Sequence, residues 1–141
     1  AEEHAAHERH LLAGLLDTVP DSVYFKDADG RFILIGRAFA ARLGLDGPEQ
    51  AVGKSDADFF PPDYVREAAA DEAAVLETGR PLIGKVEKEP APGGAERWVL
   101  TTKMPLRDPA GRVVGTMGVS RDITARKRAE EAVRTSEALF H

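Results

Sequence analysis

After Gly79 the chain runs through three strand-like stretches, Pro81 to Lys88, Arg97 to Pro105 and Arg112 to Asp122. Only the turns Pro90-Ala91-Pro92-Gly93-Gly94 and Asp108-Pro109-Ala110-Gly111 separate them. Connections this short join antiparallel neighbours, because a parallel return needs a long crossover. In the middle stretch Trp98, Leu100, Thr102 and Met104 alternate with Arg97, Val99, Thr101 and Lys103, which predicts one buried face with Trp98 and Thr102 among the candidates for it. Nearer the start, Val23-Tyr24-Phe25 and Phe32-Ile33-Leu34-Ile35 flank Asp27-Ala28-Asp29-Gly30, a hairpin pattern. The second of these strands is apolar on both sides and calls for cover on both faces, from the first helix or from a partner chain.

Helical spacing brackets the strands. Leu11, Leu12, Leu15, Leu16 and Val19 recur every three or four residues before Pro20. Arg37 to Leu43 reads as a short helix with Phe39 and Leu43 on one side and Gly44 as its stop. Ser55 and Asp58 have capping-box spacing for a turn over Asp56 to Phe60. Pro61-Pro62 opens a longer helix to Thr78 with Val65, Ala69, Ala73 and Leu76 on one face and Gly79 at its end. From Thr124 the pattern is helical again, with Ala125, Ala129, Ala132, Ser136 and Leu139 forming a weak heptad seam that is still running at the last residue.

With 141 residues, 43% hydrophobic and 30% charged, the chain is composed as a folded domain with one core. Its net charge is −5 and the basic residues are scattered apart from Arg126-Lys127-Arg128, so nucleic acid is not expected as a partner. The longest uncharged strand-like run, Val113 to Ser120, falls far short of a membrane span, and no signal peptide opens the sequence; no membrane contact by this segment and a cytoplasmic location are expected. The absence of cysteine removes disulfides, thiolate catalysis, iron–sulfur clusters and cysteine-ligated zinc.

Helix, two strands, short helices, three strands, helix is an α+β order for a five-stranded antiparallel sheet with helices on one face. The residues also resemble the PAS family from about Leu11 to Arg128. The matching segments are Val19-Pro20-Asp21-Ser22-Val23-Tyr24-Phe25-Lys26-Asp27, Val52-Gly53-Lys54-Ser55-Asp56, and Gly115 through Thr124, ending in Asp122-Ile123-Thr124. The resemblance implies a flanking helix over 1–19, a sensor core over 20–122 and a signalling helix over 123–141. It further implies a non-catalytic sensor and dimerisation domain, linked covalently to the output domain of a sensor histidine kinase or diguanylate cyclase. The alternative is a ligand-free module for dimerisation and relay alone. A homodimer through the N-terminal helix, the outer sheet face and the C-terminal helix is expected.

Relatives with cysteine-linked chromophores need a residue this chain lacks, and haem relatives place a histidine on the long helix, where Pro62 to Thr78 has none. A small organic ligand or a non-covalent flavin remains compatible. Tyr24, Phe39, Trp98, Thr102 and Met117 are the pocket candidates by residue type and strand phase; the alternative, and the commoner use of aromatic and methionine side chains, is that they only fill the core. Asp122, Ile123 and Thr124 are the expected relay, with Thr124 capping the following helix and Asp122 holding donors at the strand end. His4, His7 and His10 have metal-capable spacing but no further ligand, and read as a solvated helix start; no metal is expected. Asp56 and Asp58 read as helix-start carboxylates rather than an acid/base pair. Gly93-Gly94-Ala95-Glu96 lacks the Asp and Phe of the diguanylate cyclase signature and reads as a turn, and no catalytic constellation is present.

Overall fold

A computed structural model of the protein describes residues 2–92 and 94–140. Strands β1 (Ser22–Asp27) and β2 (Phe32–Ile35) form the first hairpin, and β3 (Leu82–Ala91), β4 (Gly94–Arg107) and β5 (Val113–Asp122) form the meander. They join in one five-stranded sheet of order β2-β1-β5-β4-β3, antiparallel throughout. The α+β architecture is therefore the expected one. The last strand lies beside the first, so the exit of the sheet is built against its entrance.

Helix α1 (Glu2–Thr18) precedes the sheet, α4 (Thr124–Leu139) follows it, and α2 (Arg37–Arg42) and α3 (Pro62–Thr78) lie between β2 and β3 with 3₁₀ turns over Pro48–Ala51 and Asp56–Asp58. Pro62 sits in the first turn of α3, and Gly79 ends it at φ 68°, a left-handed conformation that glycine adopts without steric cost. The Ser55 amide donates to the Asp58 carboxylate at 2.9 Å, one half of the anticipated capping box.

The apolar core gathers at one end of the sheet. Phe32, Ile35 and Phe39 are 1–3% exposed and pack with Tyr24, Leu43, Ala51 and Phe60. Each such side chain contributes on the order of 1.5–3 kcal/mol by leaving water. An irregularity in the β1–β2 pairing puts Phe32 opposite Lys26 and Ile35 opposite Tyr24, turning both inward. The chain's own helical layer thus covers β2 on that side, while Ile33 faces outward at 48% exposure. On α1 only Leu16 is buried; Leu11, Leu12 and Leu15 are exposed.

Two expected faces are out of phase. The residues of β4 beneath the helices are Val99, Thr101 and Lys103, at 0–3% exposure, not Trp98, Leu100, Thr102 and Met104. The buried side of α3 is Ala68, Glu72 and Val75, one position round from Val65, Ala69 and Ala73. Both differences have one cause: the enclosed face of the sheet is polar. It carries Ser22 and Lys26 from β1, Thr116 and Ser120 from β5, Thr101 and Lys103 from β4, and Glu89 from β3, all buried. Close approach is secured at Gly115 and Gly118, where a Cβ would overlap the Lys26 carbonyl oxygen and the Tyr24 ring respectively.

Candidate functional site

Strand alternation brings every second residue of β1, β4 and β5 to the enclosed face, and α3 lays Glu72 across it. Lys26 Nζ donates to Glu72 Oε1 and Oε2 at 3.0 and 2.9 Å and to Asp56 Oδ2 at 2.7 Å. Lys103 Nζ donates to the same Glu72 Oε2 at 2.7 Å. Two ammonium groups from different strands therefore converge on one carboxylate oxygen. The Lys26 ammonium also stands 4.9 Å from the Tyr24 ring centroid and 5.1 Å from that of Phe32, so aromatic faces replace part of its lost hydration. Beside this cluster the Thr101 and Ser120 hydroxyls are 3.0 Å apart.

A second buried carboxylate, Glu89, closes the other end of the cavity. Its Oε1 accepts from Arg97 Nε at 2.8 Å and from Arg42 Nε at 3.1 Å. Arg97 donates in addition to Ser22 Oγ at 2.9 Å. Between the two clusters the free space amounts to about 10 Å³, bounded by Tyr24, Phe39, Phe60 and Tyr64 among others. That is room for about one water molecule. Burial pushes the phenols of Tyr24 and Tyr64 above their ordinary range, with nearby carboxylates acting in the same direction.

The sequence candidates separate in space. Tyr24 and Phe39 line the cavity. Trp98, Thr102 and Met117 lie on the opposite face of the sheet, because their strands run in the other phase. There Trp98 is flanked by Lys88 Nζ at 5.2 Å and Lys127 Nζ at 4.9 Å from its ring centroid, and Thr102 Oγ1 accepts from the Gly84 amide at 3.2 Å. Met117 stands between Phe25 and Met104 in the strand register. Lys26, Glu72, Lys103, Glu89, Arg42 and Arg97 carry the polar interior and were not singled out from the sequence. The available signal was the shared phase of Ser22-x-Tyr24-x-Lys26 and Val99-x-Thr101-x-Lys103, with Glu72 set among alanines.

At the junction Asp122 holds a neighbouring donor, while the Thr124 hydroxyl does not cap the helix. Asp122 Oδ1 accepts the Thr124 amide at 2.9 Å and so satisfies a donor at the start of α4. The Thr124 hydroxyl instead accepts from the Trp98 amide at 3.0 Å, tying α4 to β4, and the Ile123 amide donates to the Trp98 carbonyl at 2.9 Å. Ile123 is itself buried. Partial burial pushes the Asp122 carboxyl up, but hydrogen bonds from Thr124 and the neighbouring Arg97 outweigh it and hold the group below the usual aspartate value. Arg97 Nη1 lies 3.9 Å from Asp122 Oδ2, so one guanidinium spans from the buried Glu89 to the junction.

His4, His7 and His10 lie exposed along α1, with His4 Nε2 2.7 Å from Glu8 Oε1. Among the described residues no three His, Asp or Glu side chains gather in a metal-holding arrangement. Asp56 belongs to the Lys26 cluster and Asp58 to the turn cap. Of the segment Gly93 to Glu96, Gly93 lies outside the described residues.

A family model described as the PAS fold matches residues 16–128. The methanogenesis regulatory histidine kinase FilI of Methanothrix harundinacea is 30% identical over 115 residues, which cover 82% of this chain and 13% of that protein. The C4-dicarboxylate transport sensor protein DctS of Rhodobacter capsulatus is 28% identical over 139 residues, 97% of this chain and 21% of that protein. The chain thus spans about a fifth or less of the curated relatives it matches. Among solved structures, the Vibrio cholerae VqmA–ligand–DNA complex superposes with a TM-score of 0.71 at 25% identity, covering 78% of this chain and 49% of that one. This last likeness overturns the exclusion of nucleic acid as a partner. The exclusion rested on the charge of this segment, whereas a similar segment forms half of a chain that is bound to DNA. The charge of one segment does not decide what a longer protein binds.

Proposed function

The chain belongs to the PAS fold family, and on that premise we propose that it is a non-catalytic sensor module. In this reading it passes a change in its polar interior through α4 to the output region of a signal-transduction protein. The named kinase among its relatives favours a histidine kinase over a diguanylate cyclase as that output. The observation that carries the reading is Arg97, which donates to the buried Glu89 at 2.8 Å and approaches, at 3.9 Å, the Asp122 carboxylate that holds the first turn of α4. A rearrangement of the interior that moves Glu89 shifts the Arg97 guanidinium relative to Asp122, and with it the hold on the helix. Cytoplasmic placement is part of the proposal; among the described residues no helix is long and apolar enough to cross a membrane.

The small free space inside the domain, about 10 Å³, supports a second form of the reading, in which the module serves dimerisation and relay with no ligand of its own. Both forms are tested at the junction. This chain is put in place of the matching segment of a kinase relative, and autophosphorylation is measured with and without Glu72→Gln as an interior perturbation. With the junction intact, Glu72→Gln is expected to change the kinase rate. With Asp122→Ala and Thr124→Ala together, the domain keeps its native circular dichroism and the kinase no longer responds to Glu72→Gln. An undiminished response in the folded double variant would overturn the relay.

A further inference from the structure

Glu72 borders three spaces at once. It faces the internal cavity, and it also lines two surface grooves that share Asp29, Gly30 and Ala69. One groove, of about 160 Å³, runs along Asp27, Gly30 and Ala73; the other, of about 200 Å³, runs along Ser55, Ala57 and Val65. Its carboxylate is therefore a plug between solvent and the two buried lysines. Ala69 and Ala73 neighbour it on α3, while Leu76 and Val65 and the carboxylates of Asp27, Asp29 and Asp56 line the grooves further out, so an outward swing has room near the helix but meets negative charge beyond it.

Resting on the sensor reading above, we propose that Lys26 and Lys103 form a binding site for a small monocarboxylate anion, with Glu72 as its tethered occupant, and that binding exchanges one carboxylate for the other. The chemistry of the site specifies the class. Two ammonium groups at 2.9 and 2.7 Å from a single oxygen are arranged for a carboxylate, since that is what they hold. Exchange leaves the interior charge unchanged. A neutral ligand that displaced Glu72 would take away the carboxylate that ion-pairs Lys103 and leave it only the more distant Glu87, which is unfavourable for a buried ammonium. Asp56, the other partner of Lys26, puts a negative charge beside the site and so disfavours a second carboxylate on the ligand. Size follows from the space: the cavity adds only about 10 Å³ to what Glu72 vacates, so the ligand has a few heavy atoms, on the scale of formate, acetate or propionate.

Exchange also has a mechanical result. Glu72 ion-pairs α3 to Lys26 on β1 and Lys103 on β4, and its departure leaves α3 with the ion pairs of Lys85 on β3 with Glu67 and Asp71 and with the buried Ala68 and Val75. The liganded and empty domains then differ in the packing of α3, which is the differential state a signal requires.

The test uses sodium acetate on the Glu72→Ala chain, with sodium chloride at equal ionic strength as control. Acetate should raise the melting temperature saturably, by roughly 4–5 °C at ten times its Kd. Wild type should need about tenfold more acetate or higher, because the tethered carboxylate competes. Lys26→Met combined with Glu72→Ala should abolish the effect. If Glu72→Ala alone is unfolded, acetate must restore its circular dichroism. Equal effects of acetate and chloride, or an acetate effect that survives Lys26→Met, would overturn the proposal. Neither result touches the junction experiment, which reads kinase output without any ligand.

Discussion

At Lys26 and Glu87 the same enclosed face treats two charged residues in opposite ways. Lys26 is 2% exposed yet has two carboxylates and two rings around its ammonium. Glu87 on β3 is less well matched: burial pushes its carboxyl above the ordinary glutamate value, and the Thr101 hydroxyl together with Lys85 and Lys103 offsets only part of this. A carboxyl with a raised folded value binds its proton more tightly in the native state than in the unfolded chain. Its ionisation therefore subtracts stability as pH rises from about 4.5 through the folded value, and the loss is complete above it. Glu87→Gln is accordingly expected to melt higher than wild type at pH 7 and to lose that advantage near pH 4. Melting curves of both proteins across this range decide it, and a difference independent of pH would rule it out.

Among the elements, α3 shows most clearly what could and could not be seen in advance. Its limits follow from local chemistry, since Pro62 and Gly79 mark a start and a stop whatever the rest of the chain does. Its buried face does not. Periodicity assigns alanine, valine and leucine to the core and glutamate to solvent, yet Glu72 meets Lys26 across 46 residues and Lys103 across 31. That pairing is non-local, and no window of sequence contains both partners. The phase of β4 was hidden for the same reason, with Lys103 and Thr101 inside and Trp98 outside. The antiparallel order and the junction segment were legible because turns and strand lengths are local. If the ion cluster is what fixes α3, removing partners will be strongly non-additive. Glu72→Gln alone leaves Lys103 without its partner and should cost about 3–5 kcal/mol. Lys103→Met alone leaves Glu72 paired with Lys26 and should cost less. In the double variant the Lys26–Asp56 pair persists, and the coupling read from urea unfolding should be about 1–3 kcal/mol. Additive losses would show that α3 is held by its apolar contacts instead.

For the whole molecule, a tightly satisfied interior is joined to two terminal helices that bury little. Among the described residues, α1 contributes Leu16 to the buried set and α4 contributes none, so each depends on its attachment rather than on a core of its own. A helix of this length is marginal alone. The attachment of α4 runs through Trp98, whose carbonyl accepts from the Ile123 amide, whose amide donates to the Thr124 hydroxyl, and whose ring is flanked by Lys88 on one strand and Lys127 on the helix. Trp98 is the single tryptophan in the sequence. The domain therefore carries its own optical gauge of whether the first turn of α4 is seated. Undocking would strip Lys127 from the indole and admit water, so the emission maximum of the Asp122→Ala, Thr124→Ala protein should lie to the red of wild type, with its unfolding midpoint little changed. An identical spectrum would mean that the helix stays seated without those two side chains. Because no other indole contributes, the seating of the helix can be followed in real time, by intrinsic fluorescence alone, while the interior is perturbed.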